Sequence, residues 1–144
     1  MKATIKWADG AMFVGDSGSG PSVVMDGPEE LGGRNIGPRP MEMLLLGTGG
    51  CASYDVLSML RKSRQQVVDC RVEVEAERAD AVPAVFTRIA MHFVVTGMGL
   101  KESQVKRAVE LSAEKYCSAS IMLGAAGVAL SHSYEVVEIE PGLG

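Results

Sequence analysis

Three kinds of apolar and polar patterning divide the chain. The first is a run from Met41 to Ala52 in which Glu42 and Thr48 are almost the only polar side chains. Pro40 opens it, and Arg61, Lys62 and Arg64 follow at its far end, so the pattern predicts one long helix over 40–64. Proline suits the first helical position, and cations suit the last turn, where they offset the helix dipole. A helix apolar nearly all round is expected to be buried on every side. Gly47, Gly49 and Gly50 each cost about 1 kcal/mol relative to Ala inside it, which close approach of another helix or a ligand would offset.

The second pattern is strict alternation. Over 67–78, Cys70, Val72, Val74 and Ala76 take one face and Arg71, Glu73, Glu75 and Glu77 the other, which predicts a half-exposed strand. After a turn containing Pro83, Val85, Thr87, Ile89, Met91, Phe93 and Val95 alternate along a returning strand, so the two form a long hairpin. Shorter strands are predicted at 3–7 and 11–14, flanking Asp9-Gly10, and at 22–25 after the Ser17 to Gly20 turn. Residues 26–39 have the glycine and proline density of a loop, which carries Arg34 and Arg39. The third pattern is helical: Val105, Ala108, Val109, Ser112 and Tyr116 share one face over 101–116. Cys117-Ser118-Ala119-Ser120 interrupts it and 121–128 resumes it. Cys117 is thus expected at a junction, near the N-terminus of a second helix, a place that lowers a thiol pKa. A last strand is predicted over 131–139.

Composition adds bounds. A chain of 144 residues is most simply one domain, spanning 1–144. A positive mean hydropathy and only 22% charged residues leave more apolar surface than so short a chain covers, which predicts a homodimer. The net charge of −4 argues against nucleic acid or an anionic membrane as partner. The polar N-terminus carries no signal-peptide pattern and no apolar run reaches about 18 unbroken residues, so a cytoplasmic location is expected. There, three cysteines are not a structural disulfide framework.

Candidate chemistry is confined to few side chains. Cys70 lies on the inward face of its strand, as an inert packing thiol would. His92 points outward and His132 stands at a strand entrance, neither with a partner at ligand spacing. Without CxxC, HExxH or a phosphate-binding glycine loop, no metal and no cofactor are expected. Cys51, beside the glycines, and Cys117, at its helix junction, leave two readings open: a redox pair, or two packed core thiols.

The stretch GPRPMEMLLLGTGGCASYDVL, the long hairpin after it, the helix ending in EKYCSAS and the last strand together resemble the OsmC/Ohr family over almost the whole chain. The resemblance implies an α+β fold, with a long cysteine-bearing central helix packed between antiparallel sheets in an intertwined homodimer. It further implies a thiol-dependent peroxidase acting on organic hydroperoxides, in which Cys51 matches the peroxidatic cysteine and Cys117 the resolving one. A disulfide between them needs Cα atoms within about 7 Å, so the junction before Ser118 is expected against Gly50 and Cys51. The family's peroxidases keep a Glu directly after the motif proline, which with an Arg orients the thiolate. Met41 stands at that position. Glu42 follows one residue later, turned by about 100 degrees around the helix. Arg34 and Arg39 are the candidate guanidinium groups, from the same or the partner subunit. The implied partners are an apolar peroxide and an external dithiol reductant. The rival reading is a non-enzymatic dimer of the same fold that binds an apolar small molecule between subunits, and Met41 favours it. A purely structural dimerisation domain gives no reason for thiols at both motif positions.

Overall fold

The computed structural model describes residues 1–140. It divides into two compact units, Met1–Leu44 and the part from Leu45 onward.

The first unit is a three-stranded antiparallel sheet in the order β1 (Ala3–Asp9), β2 (Met12–Ser17), β3 (Ser22–Met25). Asp9 pairs with Met12, so the hairpin turn is Gly10-Ala11. Gly10 has φ +50, the left-handed conformation that the first position of a tight hairpin turn requires. In the loop that follows, the buried Asp26 carboxylate accepts the backbone N–H groups of Gly27, Arg34 and Ile36 at 2.7, 3.1 and 3.3 Å. These bonds hold the carboxyl below its usual range. A glycine-rich segment with little side-chain packing is thereby organised around one anion.

The long helix α1 (Pro40–Lys62) begins at the end of this unit and runs into the second. Glu42 accepts the Arg39 backbone N–H at 2.9 Å, the reaching-back bond of a capping box, and pairs with the Arg39 guanidinium at 3.3 Å. The helix stops two residues short of the predicted end because Arg64 takes φ +59. Arg64 N–H then bonds the Arg61 carbonyl and Gln65 N–H the Leu60 carbonyl, a Schellman closure.

In the second unit, β4 (Gln66–Arg78) and β5 (Phe86–Met98) form the long antiparallel hairpin, and β6 (Ala129–Glu138) lies on the other side of β5. β6 runs parallel to β5, so the expectation of wholly antiparallel sheets is corrected here. The crossover that a parallel pair requires is supplied by α2 (Glu102–Leu111), a π-helical turn (Ser112–Tyr116) and α3 (Ser118–Ala125). The single predicted helix over 101–116 is therefore two pieces, and α3 starts earlier than residue 121. An irregularity between Glu77 and Arg78 shifts the hairpin register, so Phe86 turns inward where Val85 and Thr87 were expected.

The core of this unit is Ile89, Met91, Phe93 and Val95 from the middle strand, Ala52, Val56 and Leu60 from α1, and Val105, Ala108 and Val109 from α2. α1 offers it one stripe, Thr48, Ala52, Val56 and Leu60, repeating every four residues, with Gly49 beside it. Within the single chain the rest of the helix surface is open: Leu46 is 59% and Tyr54 77% exposed. Only Gly49 meets close neighbours, with β-carbon space bounded by Val74 and Val72 at 3.2 and 3.3 Å. Positions 47 and 50 are open. By length and composition alone α1 is also apolar enough to cross a membrane, although 28% of that window is buried in the fold.

Candidate functional site

α1 sets the first half of the site. Cys51 and Asp55 are one helical turn apart and so project from the same side, next to the buried Ala52. The crossover sets the second half. The π turn closes with Cys117 N–H on the Ser112 carbonyl at 2.8 Å, and Ser112 Oγ donates to the Ala52 carbonyl at 3.3 Å, which ties this turn to the middle of α1. Cys117 is fully buried as the N-cap of α3, where its Sγ accepts Ser120 N–H at 3.4 Å and Ser120 Oγ–H at 3.1 Å. As a result, Cys51 Sγ, Cys117 Sγ and one Asp55 carboxylate oxygen all lie within 4.8 Å of one another.

The two thiols are not equivalent. Cys51 is partly exposed and Cys117 is enclosed, with no disulfide between them. The cap position was expected to lower the Cys117 pKa, and the outcome is the opposite. Burial pushes this thiol up, the Ser120 hydrogen bonds oppose the rise without cancelling it, and the adjacent Cys51 adds to it. A short cap offers too little positive potential to offset the loss of water. The room that Gly50 was expected to provide is not what admits Cys117, since the space at Gly50 is open.

Asp55 is the residue that sequence reasoning missed. Burial raises its carboxyl pKa, a Ser112 hydrogen bond opposes the rise, and Oδ2 is buried with no hydrogen-bond partner among the described residues. Its signal was the spacing of four from Cys51 on the helix, inside the quoted motif stretch itself. Ser120, three residues past Cys117, carried the spacing of a cap in the same way. Asp55 also lines a cleft of about 460 Å³ between α1 and α2, together with Met59, Lys62, Arg107, Leu111 and Tyr116. Lys62 and Arg107 give the cleft two cations, and Asp55 belongs both to its lining and to the sulfur cluster.

Arg34, Arg39 and Glu42 each have an ion-pair partner of their own. In the first unit Arg34 pairs with Asp9 at 2.7 Å, and Arg39 pairs with Glu42, whose carboxyl these bonds hold low. Cys70 faces partly inward on β4 opposite Val95, and burial followed by the adjacent Asp69 raises its pKa. His92 is hydrogen-bonded to Ser133 at 2.7 Å and Glu135 at 3.3 Å on the outer face of the sheet. His132 lies within β6, stacked on Phe93.

The family and the fold have counterparts among known proteins. Residues 32–133 match the family model described as OsmC-like protein. Protein YhfA of Escherichia coli K12 is 50% identical over 137 residues, which is 95% of this chain and 98% of that protein. A solved structure of a hypothetical protein from Aquifex aeolicus superposes with a TM-score of 0.83 at 29% identity, over 96% of this chain and 97% of that one. An organic hydroperoxide resistance protein, OsmC, from Legionella pneumophila shares the fold with a TM-score of 0.69 at 18% identity, over 94% of this chain and 96% of that one.

Proposed function

Because this chain belongs to the OsmC-like family, we propose that it is a thiol-dependent peroxidase reducing organic hydroperoxides, with Cys51 attacking and Cys117 resolving. The observation that carries this reading is the approach of a partly exposed sulfur and a buried one to within 4.8 Å, both unbonded. A peroxide reaches the exposed sulfur first. The Cys51 thiolate attacks one peroxide oxygen and breaks the O–O bond, releasing the alcohol once the leaving alkoxide takes a proton, and Cys51 becomes a sulfenic acid. Cys117 then attacks the Cys51 sulfur and expels its oxygen as water. An external dithiol supplies the two electrons that reopen the disulfide.

The thiolate form of Cys51 needs a cation, because a mid-helix position gains little from either helix end. Arg34 or Arg39, of the same chain or a second copy, is proposed for that role, with Glu42 as its carboxylate partner. The open face of α1 at Leu46, Gly50 and Tyr54 supports a homodimer, and an apolar peroxide and a cytoplasmic setting complete the proposal. A second reading, a non-enzymatic dimer that binds an apolar small molecule, draws on Met41 and on the use of Glu42 as a helix cap.

Peroxide consumption separates the two. Cys51→Ser is expected to abolish it. Cys117→Ser is expected to allow one turnover and leave a sulfenic acid at Cys51, trapped by a dimedone-type reagent. Wild-type protein that consumes no organic hydroperoxide in the presence of a dithiol would favour the binding reading.

A further inference from the structure

We propose that Cys51, Cys117 and Asp55 form a binding site for a thiophilic divalent cation, of which Zn²⁺ is the natural probe, and that forming the Cys51–Cys117 disulfide releases it. Two thiols and a carboxylate oxygen within 4.8 Å of one another are a ligand set of the right chemistry, since thiolates select soft or borderline ions over Mg²⁺ and Ca²⁺. A tetrahedral zinc ion with sulfur at about 2.3 Å and oxygen at about 2.1 Å holds its ligands roughly 3.6 to 3.8 Å apart, so from 4.8 Å the cluster needs to contract by no more than about 1.2 Å. The second observation is that the Asp55 carboxyl, one oxygen of which lies beside the two sulfurs, has a buried Oδ2 without a hydrogen-bond partner among the described residues. Ser112 Oγ, bonded to the Ala52 carbonyl, ties the turn that carries Cys117 to the same stretch of α1. Three protein ligands leave a fourth position for water, and Asp55 also lines the cleft between α1 and α2.

Local motifs did not announce such a site. The ligands lie at 51, 55 and 117, and the π turn together with the α3 cap brings the last one home.

Release follows from ligand count. When the two thiolates are joined, two electrons pass to the oxidant, a hydroperoxide taking two protons from solvent and leaving as alcohol and water. The cation then retains one carboxylate and departs. A bound cation also occupies the sulfur lone pair that attacks peroxide, so the loaded protein is protected until the metal is displaced. This last consequence rests on the peroxidase reading; binding itself does not.

The test uses reduced full-length protein, without peroxide. Titration with Zn²⁺ against a chromogenic chelator, and with Cd²⁺ followed by sulfur-to-metal charge-transfer absorption in the ultraviolet, is expected to give one ion per chain. Loss of an outer-shell partner typically weakens binding about 10- to 100-fold, so removing a direct ligand by Cys51→Ser or Cys117→Ser is expected to cost at least roughly 100-fold. Asp55→Asn, which keeps the shape, should weaken Zn²⁺ by about 10-fold or more, and Cys70→Ser should change nothing. Circular dichroism confirms that each variant is folded. Absence of stoichiometric binding by wild type, or binding that survives Cys117→Ser but is lost in Cys70→Ser, overturns the site. Diamide, which forms the disulfide without peroxide, is expected to free the bound ion fully. Retention of metal after the disulfide forms overturns the release, and because no hydroperoxide is used, this result stands apart from the fate of the peroxidase reading.

Discussion

At the scale of single residues the site is a contest between desolvation and hydrogen bonding. Cys117 accepts two bonds from Ser120 and is still pushed up, because burial outweighs them. Ser120→Ala removes the hydroxyl contact, so the thiol should rise further. The expected outcome is slower disulfide closure with unchanged formation of the Cys51 sulfenic acid, checked by stopped-flow at fixed peroxide. Cys70 stands apart from this chemistry, and Cys70→Val is expected to leave peroxide reactivity intact; a folded Cys70→Val protein without turnover would show that the wrong cysteines have been paired. His132 gives a pH prediction. Burial lowers its pKa below the ordinary 6.5, so the unfolded chain binds a proton more readily than the fold does. Stability from this residue is therefore full above about pH 6.5 and falls as pH drops towards the lower folded value. Guanidinium unfolding at pH 7.5 and 5.5 should show that loss, and His132→Gln should flatten it.

At the scale of elements, spacing decided what could be read. The alternation in β4 and the four-residue stripe of α1 were legible because both describe one face of one element. The parallel partner of β5 was not, since strand direction depends on how far the crossover travels before it returns. The π turn was hidden for a related reason: Ser112 and Tyr116 hold a helical period, and the extra residue appears only in the bond from Cys117 to Ser112. Cys51 and Cys117 were found through the motifs around them, whereas Asp55 has meaning only once Cys117 is packed against its helix. The glycines of α1 illustrate the same limit. All three looked alike, yet a methyl group at Gly49 would press on Val72 and Val74, two β-branched side chains with little freedom to turn aside. Gly49→Ala is thus expected to destabilise the protein by about 1 kcal/mol through overpacking that exceeds the gain in helix propensity. Chemical denaturation against wild type measures it, and a stabilised variant would show that β4 gives way.

At the scale of the whole molecule, one helix joins the two claims about function. The buried stripe of α1 fixes the thiol pair, while its open side at Leu46, Gly50 and Tyr54 is the surface on which the proposed homodimer rests. Sedimentation at micromolar concentration is expected to give a dimer mass, and Leu46→Glu to shift it towards monomer. A wild-type monomer would remove the dimer from the account. The most direct measurement of the central claim is a thiol count on reduced protein before and after one equivalent of an organic hydroperoxide, followed by peptide mapping. The chain has three cysteines. The account predicts that two thiols per chain disappear, that Cys51 and Cys117 are recovered as one linked peptide pair, and that Cys70 remains free. Three free thiols after treatment, or a linkage that includes Cys70, would contradict it.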